Sequence, residues 1–323
     1  KASQSDHPAT VFPLNGAPWL LVPSGCAALI YQVVWVRLLM LSIGSTSVAI
    51  STVLSAFFLG ITFGSMLSAR IAQGRLTDLK VFAWLELGIG LSGLILLPVL
   101  LHLDHGMALL GELGTALWIK FSICLVLLFI PTVCMGATYP VLASALAHQR
   151  EALGSFLGNL YTLNTAGAVA GALLSGFVLI PYIGLDGSVV MASLFNLFTG
   201  LGALLLHRKV RHARLASPDT SGYAAPLQSG SPTSREHWEV GAVLFCTGAI
   251  ATASQVAWTK YVSIFVGATL YGFSAILGIF LVGIAAGSWY SKRRLLQDAT
   301  HIAAVAWALL ALSATLLLAR VGL

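Results

Sequence analysis

Long apolar stretches, separated by short polar segments, run through the chain from residue 17 to residue 318. An α-helix needs about 20 predominantly apolar residues to cross the hydrocarbon core of a bilayer, so each stretch predicts a transmembrane helix. We predict an all-α polytopic membrane helical bundle with about nine transmembrane helices. They are expected at residues 17–41, 48–69, 81–102, 116–146, 153–180, 189–206, 240–266, 271–290 and 301–318.

Composition places the protein in a membrane. Hydrophobic residues make up 58% of the chain and charged residues 9%, and the mean hydropathy is +0.90. About a quarter of the residues in a soluble domain are charged, so this chain has too little charge to cover a surface in water, and the lipid bilayer is its expected partner. The net charge of +6 needs no nucleic acid to explain it, because cytoplasmic loops of membrane proteins are rich in Lys and Arg.

One clear break in composition occurs at residues 207–237. This segment contains five Lys and Arg residues and a middle rich in Ser, Pro and Gly, which is typical of a flexible linker. We therefore predict a first six-helix membrane half at 1–206, a basic cytoplasmic linker at 207–237, and a partial second membrane half of three helices at 238–323.

The distribution of basic residues predicts the orientation. With the N-terminus in the cytoplasm, thirteen of the seventeen Lys and Arg residues lie on the cytoplasmic side. The four toward the outside are Arg37, Lys120, Lys260 and Arg320. This bias follows the positive-inside rule. We expect an integral protein of a bacterial inner membrane, with a cytoplasmic N-terminus and, after nine spans, a C-terminus outside.

The sequence contains an internal repeat. Residues 24–70 align with residues 247–293 without a gap, and sixteen of the 47 positions are identical. Shared residues include a Gln, a Trp and several glycines, and a basic residue is kept at Arg37 and Lys260. Six helices, a basic linker and a second copy of the first helices are the plan of a two-half transporter, here major-facilitator-like. Counterparts of helices four to six do not follow, so the chain is either a fragment that continues beyond Leu323 or a nine-helix protein.

Three stretches resemble a known family. They are SGCAALIYQVVWVRLLMLSIGSTSVAISTVLSAFFLGITFGSMLSAR in the first two helices, PTVCMGATYPVL in the fourth and GNLYTLNTAGAVAGALLSGFVLIPYIGL in the fifth. They are similar to the membrane part of the spermidine-synthase-like membrane proteins, which are described as fusions of a major-facilitator-like domain with a spermidine synthase domain. The resemblance implies aminopropyl-transfer chemistry in a soluble domain after the last helix. We expect no catalytic residues for it here, since Leu323 ends the chain directly after the ninth predicted helix.

Gln32 and Trp35 lie at i and i+3 on the first helix, and Gln255 and Trp258 repeat the pattern on the seventh. A side-chain amide in lipid needs a partner, so both pairs are expected to face the bundle interior. One interpretation is a pseudo-symmetric pair lining a central cavity, with the tryptophans as stacking walls for a cation. The alternative is interhelical contact that holds the two halves together.

Arg37 and Lys260 lie in the outer third of their helices. They either bind an anionic headgroup, form a gate, or extend their charged ends to the outer membrane interface. Cations at this end disfavour it as the entry point of a polyamine.

Polar residues within other spans complete the candidates. Glu86 in the third helix is either a proton- or polyamine-binding carboxyl group or an interface residue paired with Lys80 or Arg75. Asn159, Tyr161 and Asn164 begin the fifth helix, as interhelical hydrogen-bonding groups or ligand contacts. Pro131 and Pro140 are expected to break or bend the fourth helix beside them.

The predicted function is that of a multi-pass membrane module of the spermidine-synthase-like family, which acts as a scaffold or accessory subunit for a soluble enzyme or a larger membrane complex. The alternative is a transporter of polyamines or another small organic solute. We expect no enzymatic activity, since no catalytic or nucleotide-binding arrangement is recognisable, and no cofactor or metal site. A protein partner or larger membrane complex is expected, and no nucleic acid.

Overall fold

Every regular element in the described part of the chain is a helix. The computed structural model describes residues 16–71, 76–147, 153–216, 234–267 and 270–294, and no strand occurs in these ranges. Short 3-10 turns lie at Ala17–Leu20 and Gly111–Thr115, and a π-helical turn lies at Ser175–Leu179. The α-helices are α1 (Leu21–Ile43), α2 (Thr46–Ile71), α3 (Leu76–Leu101), α4 (Leu103–Ala108), α5 (Leu117–Ala147), α6 (Leu153–Leu174), α7 (Ile180–Ala216), α8 (Ser234–Val266) and α9 (Leu270–Arg294).

The helices have the length and composition of an integral membrane protein. Five stretches of described helix are long and apolar enough to cross a membrane: Ala17–Ile43, Ser47–Ile71, Asp78–Leu101, Leu117–Leu146 and Phe156–His212. The all-α membrane bundle predicted from the sequence is thus confirmed in this coarse form. Each of the first eight predicted helices overlaps a helix of the structure, and the ninth, at 301–318, lies outside the described residues.

The stretch Phe156–His212 is too long for a single crossing. Its 57 residues would extend about 85 Å as one helix, against a hydrocarbon core of about 30 Å. Gly184 interrupts the helical dihedral angles with φ 73° and ψ −175°, a conformation that is essentially restricted to glycine. The chain therefore turns at Gly184 and joins two separate crossings.

Contacts with α1 show that α6 and α7 run in opposite directions. Contacts along α6 advance in the same direction as α1, since a Cβ at Gly167 would collide with the backbone of Val22 and one at Gly171 with that of Cys26. Contacts along α7 advance in the opposite direction, and the pairs are Tyr31 with Ser193 and Leu20 with Gly202. The two glycines of α6 therefore allow the close helix approach that small residues provide in membranes.

Helix α5 is continuous, so of the two predicted alternatives, a break or a bend at the prolines, the break is wrong. It runs unbroken from Leu117 to Ala147 with Pro131 and Pro140 inside. Proline cannot donate the backbone hydrogen bond to the carbonyl one helical turn earlier, which for Pro140 is the carbonyl of Gly136. Ser65 of α2 donates to that carbonyl at 3.2 Å. The neighbouring helix thus satisfies the group that the proline leaves free, and this keeps the helix intact in lipid.

The helices extend into both ends of the segment predicted as a linker. Helix α7 continues to Ala216 and α8 begins at Ser234, so residues 207–216 and 234–237 are helical rather than flexible. The run from His207 to Ala216 lacks Gly and Pro, and six of its ten residues are Arg, Lys or Ala, which favour helix. Residues 217–233, the Ser-, Pro- and Gly-rich middle, lie outside the described residues.

Positions related by the repeat have matching local structure. Helix α1 ends at Ile43 and α8 ends at Val266, which are equivalent positions in the two copies. The glycine that follows each helix, Gly44 or Gly267, has a positive φ of 75° or 81°. A left-handed glycine is a common way to end a helix, and here it allows the chain to begin the next helix after a short turn.

Candidate functional site

A cavity of about 420 Å³ lies between helices of the first half and the pair α8 and α9. We call it the central cavity. Residues of α1, α2, α3, α5, α6, α7, α8 and α9 line it. Its hydrogen-bonding side chains include Gln32, Tyr139, Tyr161, Asn164, Asn196 and Gln255. Its volume lies within the range of small-molecule sites, about 300–1,000 Å³, and such sites combine an apolar lining with a few polar groups as this one does.

Repeat-related residues face each other across the central cavity. Gln32 and Gln255 both line it. So do four apolar pairs at equivalent positions of the two copies, Leu54 with Leu277, Phe57 with Phe280, Phe58 with Leu281 and Ile61 with Ile284. Equivalent faces of the two copies therefore both contribute to the lining of the cavity.

One face of α1 carries the lining residues. Ser24, Ala28 and Gln32 line the cavity at intervals of four, the spacing that places side chains on one side of a helix. Trp35 follows Gln32 at i+3, but it is fully buried, stacks on Tyr31 at 5.2 Å and packs against Phe57 at 5.8 Å. It is not among the described lining residues and so provides no wall for a ligand.

Trp258 is also placed away from the central cavity. It is half-buried and meets Tyr261 edge-to-face, with ring centroids 5.6 Å apart. Among the described residues, the Gln members of the two predicted pairs therefore line the cavity and the Trp members do not.

Four side-chain amides at the central cavity retain hydrogen-bonding capacity. Gln255 is 7% exposed and Asn196 1%, and Gln255 Nε2 and Asn196 Oδ1 are buried without a partner among the described residues. The side chains of Gln32 and Asn164 make no hydrogen bond within the described part of the chain, and Asn164 is half-buried. A buried polar group without a partner is costly, so the Gln255 and Asn196 side chains would gain hydrogen bonds by rotating toward a ligand in the cavity.

Glu86 lies beside the cavity in a hydrogen-bonded network. It is fully buried, and its carboxyl group accepts from Ser24 Oγ at 2.5 Å and from Asn196 Nδ2 at 2.7 Å. Lys80 is exposed and is not a partner, and Arg75 lies outside the described residues. The network joins α1, α3 and α7, and Ser24 and Asn196 also line the cavity.

Asn159, Tyr161 and Asn164 are separated by the structure. Tyr161 and Asn164 line the central cavity, and Tyr161 meets Tyr139 edge-to-face at 6.2 Å. Asn159 is exposed and has another interaction partner. Asn159 and Asn164 point to different sides of α6, because they stand at i and i+5 and a helix turns about 100° per residue.

Sequence reasoning overlooked Asn196 and Tyr139. Tyr139 donates to the carbonyl of Leu157 at 2.9 Å and joins α5 to α6 at the cavity. Asn196 lies in the sixth predicted span, and an asparagine in an apolar stretch is the same signal that singled out Asn164. That signal was present in the sequence for Asn196, whereas the role of Tyr139 depends on a contact between helices.

Arg37 and Lys260 lie at a second cavity, of about 400 Å³, which we call the end cavity. It lies beyond the central cavity along α1 and α8, close to Gly44 and Gly267. Arg37 is half-buried and Lys260 is exposed. The structure thus places both predicted basic residues at one site.

No group of three or more His, Cys, Asp or Glu side chains is placed to hold a metal ion in the described part of the chain. No protein-family model, curated protein or solved structure matches this sequence.

Proposed function

We propose that this protein is a membrane carrier that binds a small, hydrogen-bonding organic solute in the central cavity. The observation that carries the proposal is the set of four side-chain amides among the lining residues of the cavity, above all the repeat-related pair Gln32 and Gln255. Amides present donors and acceptors without net charge, so they suit a neutral solute with groups of both kinds.

A polyamine fits this lining less well than a neutral solute. A polycation is expected to require carboxylates, and none of the described residues that line either cavity is Asp or Glu. The Glu86 carboxyl group accepts from Ser24 and Asn196 instead of lining the cavity. We therefore assign the substrate to neutral organic solutes rather than to polyamines.

The proposed carrier is built from two related halves in a major-facilitator-like arrangement. Supporting this, both cavities have walls formed by repeat-related residues, and the left-handed glycines Gly44 and Gly267 occupy equivalent positions. Nine spans would place the N-terminus in the cytoplasm and the C-terminus outside a bacterial inner membrane. The resemblance to the spermidine-synthase-like membrane proteins agrees with this plan and is part of the proposal.

Uptake by the purified protein in liposomes tests the carrier. Labelled glycerol, glucose and propionamide serve as neutral probes, and labelled spermidine serves as the cation. We expect uptake of at least one neutral probe above that of empty liposomes and no uptake of spermidine. Replacing Gln32→Leu or Gln255→Leu should reduce that uptake about tenfold or more, because each removes a hydrogen-bonding group from the lining of the cavity.

Thr252→Val is the matched control, since Thr252 lies one turn before Gln255 on α8, donates to the carbonyl of Gly248 and is not a described lining residue. It should leave uptake unchanged. Entry of none of the neutral probes, or uptake that neither glutamine variant reduces, would overturn the proposal.

A second candidate is a scaffold or accessory subunit for a soluble enzyme or larger membrane complex. It is favoured by large apolar side chains that α8 and α9 expose, among them Phe245, Ile264 and Ile279, because exposed apolar surface of this kind suits a partner subunit. Purification from native membranes in mild detergent tests it. A complex of fixed stoichiometry would support the scaffold, whereas a protein that purifies alone would oppose it.

A further inference from the structure

The end cavity is a concentrated basic site at one end of the bundle. Arg37 and Lys260 line it, and none of its described lining residues is acidic. Neither side chain forms an ion pair within the described part of the chain. Two cations in one cavity repel each other unless an anion lies between them, so the lining is suited to a ligand of negative charge.

Each copy of the repeat supplies one of the two cations. Arg37 and Lys260 stand at equivalent positions of α1 and α8. Their neighbours in the lining are paired in the same way, Val36 with Thr259, Met40 with Ser263, Gly44 with Gly267 and Ile50 with Phe273. A ligand bound to both cations would therefore bridge the two copies.

Two further features of the wall favour an anion. Ser45 Oγ accepts the backbone N–H of Val48 at 3.5 Å, so the Ser45 hydroxyl proton remains available to donate. Ser45 and Ser47 line the cavity at the first turn of α2, where the helix dipole is positive and N–H groups lack partners within the helix. Charge, a hydroxyl donor and a helix N-terminus therefore meet at one wall.

Two other charged side chains near this end, Asp104 and Lys120, are each hydrogen-bonded to Ser42. Ser42 Oγ donates to Asp104 Oδ1 at 2.5 Å, and Lys120 Nζ donates to the carbonyl of Ser42 at 3.1 Å. None of the three is a described lining residue of the end cavity. Lys120 is therefore a basic residue at the same end of α1 that lies outside the site.

We propose that the end cavity binds a phosphate group, which bridges Arg37 of the first repeat and Lys260 of the second. Phosphate has up to two negative charges, which match the two cations, and oxygens that accept from the guanidinium, the ammonium and the Ser45 hydroxyl together. The source is either a phospholipid headgroup or a free phosphate. This site shares no residue with the central cavity, so it stands whether or not the carrier proposal holds.

Equilibrium binding to the delipidated, detergent-purified protein tests the site. Radiolabelled inorganic phosphate is one probe, and short-chain phosphatidylglycerol, followed by native mass spectrometry, is the other, both at constant ionic strength. We expect saturable binding of one molecule per protein with at least one of the probes. Saturation by phosphate identifies a free anion, and saturation by phosphatidylglycerol alone identifies a lipid headgroup.

Arg37→Gln and Lys260→Gln should each raise the dissociation constant about tenfold or more, because each removes a charged hydrogen bond to the ligand. Lys120→Gln removes a cation from the same end and should change the dissociation constant less than twofold. Gln32→Leu should leave it unchanged, which separates this site from the central cavity. Non-saturable binding of both probes, or an equal effect of Lys120→Gln, would overturn the proposal. Size-exclusion profiles show whether each variant is folded.

Discussion

Glu86 is the residue at which burial and polarity conflict most in this bundle. It is fully buried within a span, and its carboxyl group has two donors, Ser24 and Asn196, from two different helices. Both donors would be left unsatisfied if the acceptor were removed, and an unpaired buried polar group costs about 1–3 kcal/mol. Glu86 therefore ties α1 and α7 to α3 by a directional contact that the surrounding apolar packing does not supply.

Substitutions at Glu86 should distinguish the contribution of side-chain packing to stability from that of its hydrogen bonds. Glu86→Leu removes both acceptors and should destabilise the protein by about 2 kcal/mol or more. Glu86→Gln should cost less, because its amide oxygen accepts from Ser24 while its amide nitrogen can donate to Asn196 Oδ1, which now lacks a partner. Thermal unfolding in mild detergent measures both. The exposed acid Asp186 provides the control, Asp186→Asn, and equal melting temperatures for Glu86→Leu and this control would contradict the argument.

The residues that line the central cavity were predictable where the internal repeat conserves a polar side chain. Gln32 and Gln255 recur at equivalent positions and both line the central cavity. The direction of Trp35 was not predictable from its spacing, because its ring turns away from the cavity beside Gln32 and packs on Tyr31 and Phe57 instead. The partners of Glu86 lie 62 and 110 residues away in sequence, so only the packing of the helices could identify them.

At the scale of elements, glycine contacts set how closely the helices approach. Gly167 and Gly171 of α6 lie against the backbone of α1, and Gly60 and Gly64 of α2 lie against α5. Backbones approach this closely only where no Cβ intervenes. The same residue type elsewhere is free of such contacts, as at Gly88 of α3, where a Cβ would meet nothing within 4 Å.

This difference gives a matched pair of substitutions. Gly167→Ala places a methyl group against the Val22 backbone and should destabilise the bundle by about 1–3 kcal/mol. Gly88→Ala meets open space and should be neutral or stabilise by up to about 1 kcal/mol, because alanine favours helix over glycine. Thermal unfolding of the two variants checks this. A melting temperature for Gly167→Ala equal to that of the unsubstituted protein would refute the close contact between α1 and α6.

Helices were predictable as elements because apolar length alone reports a span. Their ends were less so. Helix α7 continues to Ala216 beyond the predicted end at residue 206, since a helix does not have to stop where the lipid does. Ser65 of another helix satisfies the carbonyl that Pro140 leaves free in α5, and no local pattern in α5 indicates that partner.

At the scale of the whole molecule, two cavities lie in succession along one winding row of residues on α1. Ser24, Ala28 and Gln32 line the central cavity, and Val36, Met40 and Gly44 continue the interval of four at the end cavity. On α8 the series is Gln255, Thr259, Ser263 and Gly267. A carrier that opens alternately at its two ends would separate these faces at one end while it closes them at the other.

Cross-linking across the end cavity tests this movement. In a Cys134→Ser, Cys246→Ser background, Met40→Cys with Ser263→Cys places equivalent cysteines on the two walls. A bismaleimide that joins them should reduce uptake to the level of empty liposomes, because the walls can no longer separate. Each single cysteine variant should retain uptake after the same treatment. Undiminished uptake in a fully cross-linked sample would show that transport needs no opening at this end.

The pairing of the two cavity walls was partly visible in the sequence, since the repeat gives the pairs. The repeat did not show that Arg37 and Lys260 line a common cavity, because helices of different halves meet only in the folded bundle. The ninth predicted helix, at 301–318, lies outside the described residues, so the number of crossings in the second half stays a prediction.

The walls of the end cavity have the same origin but no longer the same chemistry. Around Arg37 the neighbours are Val36 and Met40, whereas around Lys260 the equivalent positions are Thr259 and Ser263. A perfectly two-fold site would accept an asymmetric molecule equally well in two poses. Here Val36 and Met40 of one copy correspond to Thr259 and Ser263 of the other, and the serines Ser45 and Ser47 have no serine at the equivalent positions of the second copy. The energies of the two poses therefore differ, and divergence between the copies has given a duplicated surface a preferred ligand orientation.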